Sequence, residues 1–234
     1  MKLEILVLAI VSSSMLGAQS QKESQKSFFE QLKSDAIVLS EQGLTRGEDE
    51  IEKFVTNLAG SQPEMYSYES TYTIGVSPSM TYEIGLLKSD SKSLAVMFIN
   101  GNDTATNPGI EFLVIYEKKE ARKQPSALDR SRKEWMKFCN AHQVDELVSQ
   151  VYTSDAYYYS RGRLLRGTKA VIEEYSYMSN PNYSLKLTPK HVAFVTPDIA
   201  YEIGQCSGSY PNPYMLLWEK EEDGRWVILM DSND

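Results

Sequence analysis

The string Tyr-Glu-Ile-Gly occurs twice in this chain of 234 residues, as Tyr82-Glu83-Ile84-Gly85 and as Tyr201-Glu202-Ile203-Gly204. The copies lie 119 residues apart. Two further blocks follow the same order. Ser34-Asp35-Ala36, Ser40 and Arg46-Gly47 correspond to Ser154-Asp155-Ala156, Ser160 and Arg166-Gly167, at an offset of 120. Tyr116-Glu117-Lys118 and Asp129 correspond to Trp218-Glu219-Lys220 and Asp231, at an offset of 102. Three collinear blocks describe a duplicated unit of roughly 100–115 residues, a common domain size. On this alignment the first copy carries 17 extra residues between Tyr82 and Tyr116.

Duplication of that length predicts two domains, each long enough to bury a core. An apolar fraction of 41% and an aromatic fraction of 11% are those of a folded chain. The net charge is −8 and no Lys/Arg run is present, which argues against nucleic acid and anionic membrane as partners. Lys2, the apolar run 5–11 and the small residues Leu16-Gly17-Ala18 read as a secretory signal over 1–18, cut after Ala18. The run is too short to span a bilayer. The expected boundaries are therefore 1–18, 19–128 and 129–234, in a protein that is secreted or periplasmic. Export permits a disulfide between Cys139 and Cys206; two buried free thiols is the plainer reading. There is no CxxC, and His142 and His191 have no supporting ligand spacing, so neither metal nor cofactor is expected.

Periodicity predicts a helix over 48–58, strands from Tyr66 to Tyr116, a helix beginning near Ser131, a second with Val144, Leu147, Val148 and Val151 on one face, and a third over 169–178. Strands are expected around Tyr157-Tyr158-Tyr159 and near 184–188, 191–196, 199–208, 214–221 and 225–231. Lys123-Gln124-Pro125-Ser126-Ala127-Leu128 stands where the repeat expects the last strand of the first copy, and its Pro makes it a poor one. The first copy thus reads as degenerate. The class is α+β, helices packed on one face of a strongly curved antiparallel sheet.

Trp135, the helix break at Asn140-Ala141-His142, Ser154-Asp155-Ala156-Tyr157, Arg166-Gly167, Ala200-Tyr201-Glu202-Ile203-Gly204, Trp218 and Gly224-Arg225-Trp226 together resemble the NTF2-like superfamily, most closely its SnoaL-like or DUF4440 branch. The resemblance covers 130–234 and, more weakly, 27–129. It implies two tandem cone-shaped domains, each enclosing a pocket. Its relatives include ketosteroid isomerase, cyclases and dehydratases, so the fold carries over better than any chemistry.

Residues in both copies are expected to serve the fold. Asp155 then reads as a turn or capping residue, Arg166-Gly167 as a helix entry, and Gly204 as a bend in a long strand. Glu202 shares a face with Ala200, Gly204 and Cys206, opposite Tyr201 and Ile203. It lines the cavity as a candidate base or lies outside, paired across strands. Asp231 is the second candidate base. Trp135, Tyr157, Tyr159, Trp218 and Trp226 belong to the second copy alone, and the first four are the candidate ligand-binding residues, with ordinary core as the alternative. The leading expectation is a protein that binds a small, largely apolar molecule in the C-terminal cone without catalysis, and for which a second copy of the chain is a candidate partner. The alternative is a cofactor-independent isomerase, cyclase or dehydratase, with Glu202 or Asp231 as base and a Tyr as donor.

Overall fold

The computed structural model describes residues 27–59, 66–101 and 109–233. The signal sequence expected over 1–18 lies outside the described residues. After a 3-10 turn at Phe28–Gln31 come β1 (Leu32–Ser40), β2 (Gly43–Arg46), α1 (Glu48–Ala59), β3 (Ser67–Ser77), β4 (Met80–Lys88), β5 (Ser93–Gly101) and β6 (Gly109–Glu117). The second half repeats this order behind two helices. It runs α2 (Pro125–Asn140), α3 (Val144–Val151), β7 (Tyr152–Ser160), β8 (Arg163–Arg166), α4 (Thr168–Glu174), a 3-10 turn (Tyr175–Ser179), β9 (Leu185–Phe194), β10 (Ile199–Gly208), β11 (Pro213–Lys220) and β12 (Trp226–Asn233). Among the described residues no helix is long and apolar enough to cross a membrane.

Two six-stranded sheets result, ordered β2-β1-β6-β5-β4-β3 and β8-β7-β12-β11-β10-β9. The strand order is the same in both, which is how the duplication shows itself in space. The sheets are mixed rather than antiparallel throughout, because β1 runs parallel to β6 and β7 parallel to β12. A parallel pair needs a long crossover, and here most of the domain lies between its two members. The repeated Arg-Gly closes the second strand of each sheet. Gly47 and Gly167 share φ of 86°, a left-handed conformation open to Gly, and the following residues enter α1 and α4.

The structure redraws the third repeat block. Tyr116 lies on β6, the last strand of its sheet, whereas Trp218 lies on β11, the penultimate one. Register gives the true correspondence. Val38 pairs Leu113 as Tyr158 pairs Asp231, so the first-copy equivalent of Asp231 is Leu113 and not Asp129. The 17-residue insertion disappears, because Tyr82 to Leu113 and Tyr201 to Asp231 span nearly equal lengths. Residues 123–128 are no failed strand. Pro125 opens α2, where a missing N–H costs nothing. The boundary expected between 128 and 129 therefore falls within the first turn of a helix. Likewise β9 is one strand rather than two. Pro189 is tolerated because β9 is a sheet edge and a bulge lies beside it.

Each sheet has two buried faces. One face of the second sheet packs with α2, α3 and α4 around Trp135, Leu147, Val148, Val171, Tyr214 and Trp218. The corresponding face of the first sheet packs around Phe28, Phe29, Val38, Ile51, Phe54 and Phe98, with α1 as its helix. The other faces meet each other. Ile37, Tyr82, Ile84, Met97, Phe112 and Val114 form one cluster with Tyr157, Tyr159, Tyr201, Ile203, Met215 and Met230. The repeated Tyr crosses this junction in both directions: Tyr201 donates to the Ala95 carbonyl at 3.1 Å, and the Tyr82 hydroxyl lies 3.1 Å from Ser232 Oγ.

Candidate functional site

Period-two alternation sends Tyr201 and Ile203 to the inter-sheet junction and Glu202 into the C-terminal cone. Glu202 is fully buried. Arg132, from α2, donates its Nε to both carboxylate oxygens at 2.9 and 3.1 Å. Tyr214 donates to Oε1 at 2.7 Å, and Trp218 Nε1 to Oε2 at 2.9 Å. Asp129, one turn before Arg132, takes the guanidinium's other side. Burial raises the Glu202 pKa, and Arg132 is the largest influence opposing that rise. Each Glu202 oxygen already accepts two hydrogen bonds, which leaves little capacity for work as a base.

Gly204 has its reason here. It stands directly opposite Tyr214, and a Cβ at that position would overlap the Tyr214 ring. The glycine clears the path by which the Tyr214 hydroxyl reaches Glu202. The first copy repeats the device from the other neighbouring strand: Tyr68 lies over Gly85 and donates to Glu83. A Glu, a Gly two residues later, and a Tyr ring over that Gly are what the repeated string encodes.

Register sets a row of side chains across the second sheet. Glu202 pairs Leu216, Leu216 pairs Asp231, and Asp231 pairs Tyr158. Two strand spacings place the carboxylates roughly 10 Å apart. The equivalent row in the first sheet is Glu83, Phe98, Leu113 and Val38. The second acid and its Tyr are therefore particular to the C-terminal cone.

Asp231 is 2% exposed. Its Oδ2 accepts hydrogen bonds from Tyr152 at 2.7 Å and from Tyr175. Trp135 Nε1 donates to the Tyr152 hydroxyl at 3.0 Å, and Asn233 Nδ2 lies 3.4 Å from that of Tyr175. Among the described residues Oδ1 has no hydrogen-bond partner. Burial pushes the Asp231 pKa up to about 6, against the pull of Tyr175 and Tyr152. Both Tyr hydroxyls are held well above their ordinary range by burial, so they act as donors.

Asp231 borders a chamber of about 10 Å³, walled by Trp135, Met178, Leu185, Leu187, Cys206 and Leu216 among others. That volume accommodates about one water. Tyr177, Tyr183, Tyr210 and Asn233 wall this chamber and also a surface groove of about 600 Å³, whose rim carries Arg161, Arg163 and Glu174. Tyr177 is 45% exposed and packs edge-on to Tyr183 at 5.3 Å, so the partition is largely aromatic.

No protein-family model matches this sequence, and no curated protein sequence matches it. Solved structures similar to it include an NTF-2 like protein of unknown function from Shewanella oneidensis MR-1, 22% identical, covering 47% of this chain and 98% of that one at a TM-score of 0.41. A domain of unknown function with a cystatin-like fold from Nostoc punctiforme PCC 73102 is 15% identical, covering 47% and 75% at 0.40. A ketosteroid isomerase-like protein from Erwinia carotovora atroseptica SCRI1043 is 17% identical, covering 46% and 92% at 0.35. In this chain a six-stranded mixed sheet with helices on one face occurs twice, with one strand order. The two halves thus share one α+β architecture, and each of these solved structures covers about half of the chain.

Within the C-terminal cone the expected residues separate. Glu202, Asp231, Trp135 and Trp218 all face its interior. Tyr157 and Tyr159 do not. They point to the inter-sheet junction, where Tyr159 packs on Phe112 at 4.7 Å between ring centroids. Their neighbour Tyr158 faces the cone and donates to Asn233 Oδ1 at 2.8 Å. Trp226 packs on Phe194 at 5.9 Å rather than lining the chamber. Asp155 caps no turn; it sits on β7 and pairs with Arg166 at 3.5 Å on the surface. Cys139 and Cys206 are free and buried. Sequence reading missed Arg132, Tyr152, Tyr175 and Tyr214. Arg132 carried a usable signal, being the one charge on a buried helix side otherwise made of Ala127, Leu128, Ser131, Trp135 and Cys139.

Proposed function

We propose that this protein binds a small, largely apolar molecule in its C-terminal cone, without catalysis, the ligand's polar end reaching Asp231 and its body lying on the tyrosines of the mouth. The observation that carries this is Asp231 Oδ1, a buried acceptor without a partner among the described residues, on a residue that lines a largely aromatic and aliphatic chamber. Unsatisfied buried acceptors are costly, so a ligand that satisfies one gains affinity. Tyr177, 45% exposed, lines both the chamber and the groove, so its rotation would be the route between them, and the groove's volume lies in the range of small-molecule sites. A thermal-shift screen of small apolar molecules on the full chain tests the reading, with Tyr177→Ala and Asp231→Asn as the variants that weaken any hit. Hits unaffected by both variants place binding elsewhere and overturn it.

A second reading has one observation in its favour. Asp231, with a pKa near 6 beside two Tyr hydroxyls, has the chemistry of a general base in a cofactor-independent isomerase, cyclase or dehydratase. An enzyme of that kind loses turnover in Asp231→Asn while keeping affinity, because a base acts in the transition state. A binding protein loses affinity instead. Export belongs to the same proposal. The exported chain then begins at Gln19, and an intact mass that retains Met1 refutes it.

A further inference from the structure

We propose that the ligand of the C-terminal cone carries a protonated primary amine on its apolar body, with an ammonium N–H donating to Asp231 Oδ1. This rests on the binding reading above and names the ligand class. Hydrogen-bond direction comes first. Tyr152 and Tyr175 both spend their protons on Oδ2, so what Asp231 presents to the chamber is an acceptor. A ketone, itself an acceptor, would meet no donor there. A ligand N–H or O–H would meet an acceptor in Oδ1.

Charge separates the amine from the alcohol. The two buried carboxylates of the cone are treated differently. Glu202 has its cation, Arg132. Among the described residues no Lys, Arg or His hydrogen-bonds to or ion-pairs with Asp231, and no cation contributes to its pKa. On the groove rim, Arg163 is held by Glu174. A buried carboxylate lacking a counter-charge favours a ligand that supplies one. The surroundings favour it too. Tyr177, Tyr183, Tyr210 and Tyr214 are among the residues that wall the chamber with Asp231, and aromatic rings attract cations through their quadrupole. A metal ion fits less well. Among the described residues no group of three His, Cys, Asp or Glu side chains is placed to hold one, and hard cations want several oxygen ligands.

The test uses the full chain and a matched series: 2-phenylethylamine, 2-phenylethanol, acetophenone and the N,N,N-trimethyl derivative of the amine. Affinities are measured by calorimetry at about pH 8, above the Asp231 pKa and below that of the amine. The primary amine should bind at least roughly tenfold more tightly than the alcohol, since charge-assisted hydrogen bonds are about twice as strong as neutral ones. The ketone should bind most weakly. The trimethyl derivative should lose most of the advantage, because it keeps the charge and lacks the N–H. Asp231→Asn should abolish the amine preference while still binding the alcohol, which also shows that the variant is folded. An alcohol or ketone that binds as well as the amine overturns the amine assignment and leaves the binding reading standing. A trimethyl derivative that binds equally overturns the N–H donation to Oδ1. Persistence of the preference in Asp231→Asn overturns the placement. Failure of the whole series to bind at millimolar concentration overturns this inference, and the independent screen above then decides the broader reading.

Discussion

The Arg132–Glu202 pair should behave as a buried structural ion pair, and its removal can be read quantitatively. Arg132→Met keeps an unbranched apolar stem of similar length on α2 and removes the cation. Glu202 then remains at 0% exposure with only Tyr214 and Trp218 as donors. Breaking a buried pair from one side costs about 3–5 kcal/mol, because the surviving charge stays desolvated. Adding Glu202→Gln removes that charge, and its side-chain carbonyl can still accept from Tyr214. The double variant should therefore fall only about 1–3 kcal/mol below wild type, the scale of an imperfectly paired polar group. It should be more stable than Arg132→Met alone.

The single variant should also carry a pH signature. Without Arg132 the Glu202 pKa in the folded protein moves further above its unfolded value. A raised acid pKa contributes stability below the unfolded pKa and loses it as pH rises through the folded one. The cost of Arg132→Met should thus be small at about pH 4–5 and full at about pH 8. Urea unfolding followed by Trp fluorescence suits the measurement, since Trp135, Trp218 and Trp226 all lie in the C-terminal half. A cost below about 1 kcal/mol at high pH, or a double variant less stable than the single, would refute the reading of Glu202 as a clamped structural carboxylate.

Gly204→Ala should destabilise by about 1–3 kcal/mol, because the new methyl displaces the Tyr214 ring from over the strand; Gly85→Ala should do the same through Tyr68, and thermal melts of both variants check this. Asp231→Asn should gain on wild type as pH rises from 4 to 7, by up to about 3 kcal/mol, since the raised carboxyl costs stability only once it ionises; parallel denaturation curves across that range measure the difference, and a constant offset contradicts it. Residues 124–234 expressed alone should self-associate, because they bare the apolar face of Tyr157, Tyr159, Tyr201, Ile203, Met215 and Met230; a monomer by light scattering at micromolar concentration would count against the inter-sheet junction.

Local rules were enough for much of this molecule. The duplication was legible because a Tyr-Glu-Ile-Gly string and an Arg-Gly helix entry answer the same backbone demands in each half. Period two placed Glu202 and Tyr201 on opposite faces, and period 3.6 placed Val144, Leu147, Val148 and Val151 on one. Pairing was not legible. Strand register decides that Asp231 stands where the first copy has Leu113, and a match of single letters had joined it to Asp129, a helix residue. Which face of a strand meets solvent, cone or the other half is likewise invisible to alternation, since both faces of these sheets are buried. Tyr157 and Tyr159 were therefore correctly placed on one face and assigned to the wrong cavity. The local pattern of Tyr158 and Tyr159 is the same kind of signal, yet one bonds to Asn233 in the cone and the other packs on Phe112 across the junction. Tyr214 and Trp218 reach Glu202 from the neighbouring strand, but Arg132 and the two tyrosines of Asp231 come from elements 56–79 residues away in the chain. Only the folded geometry brings Arg132 to Glu202 and two tyrosines to one oxygen of Asp231, leaving the other oxygen buried without a partner among the described residues.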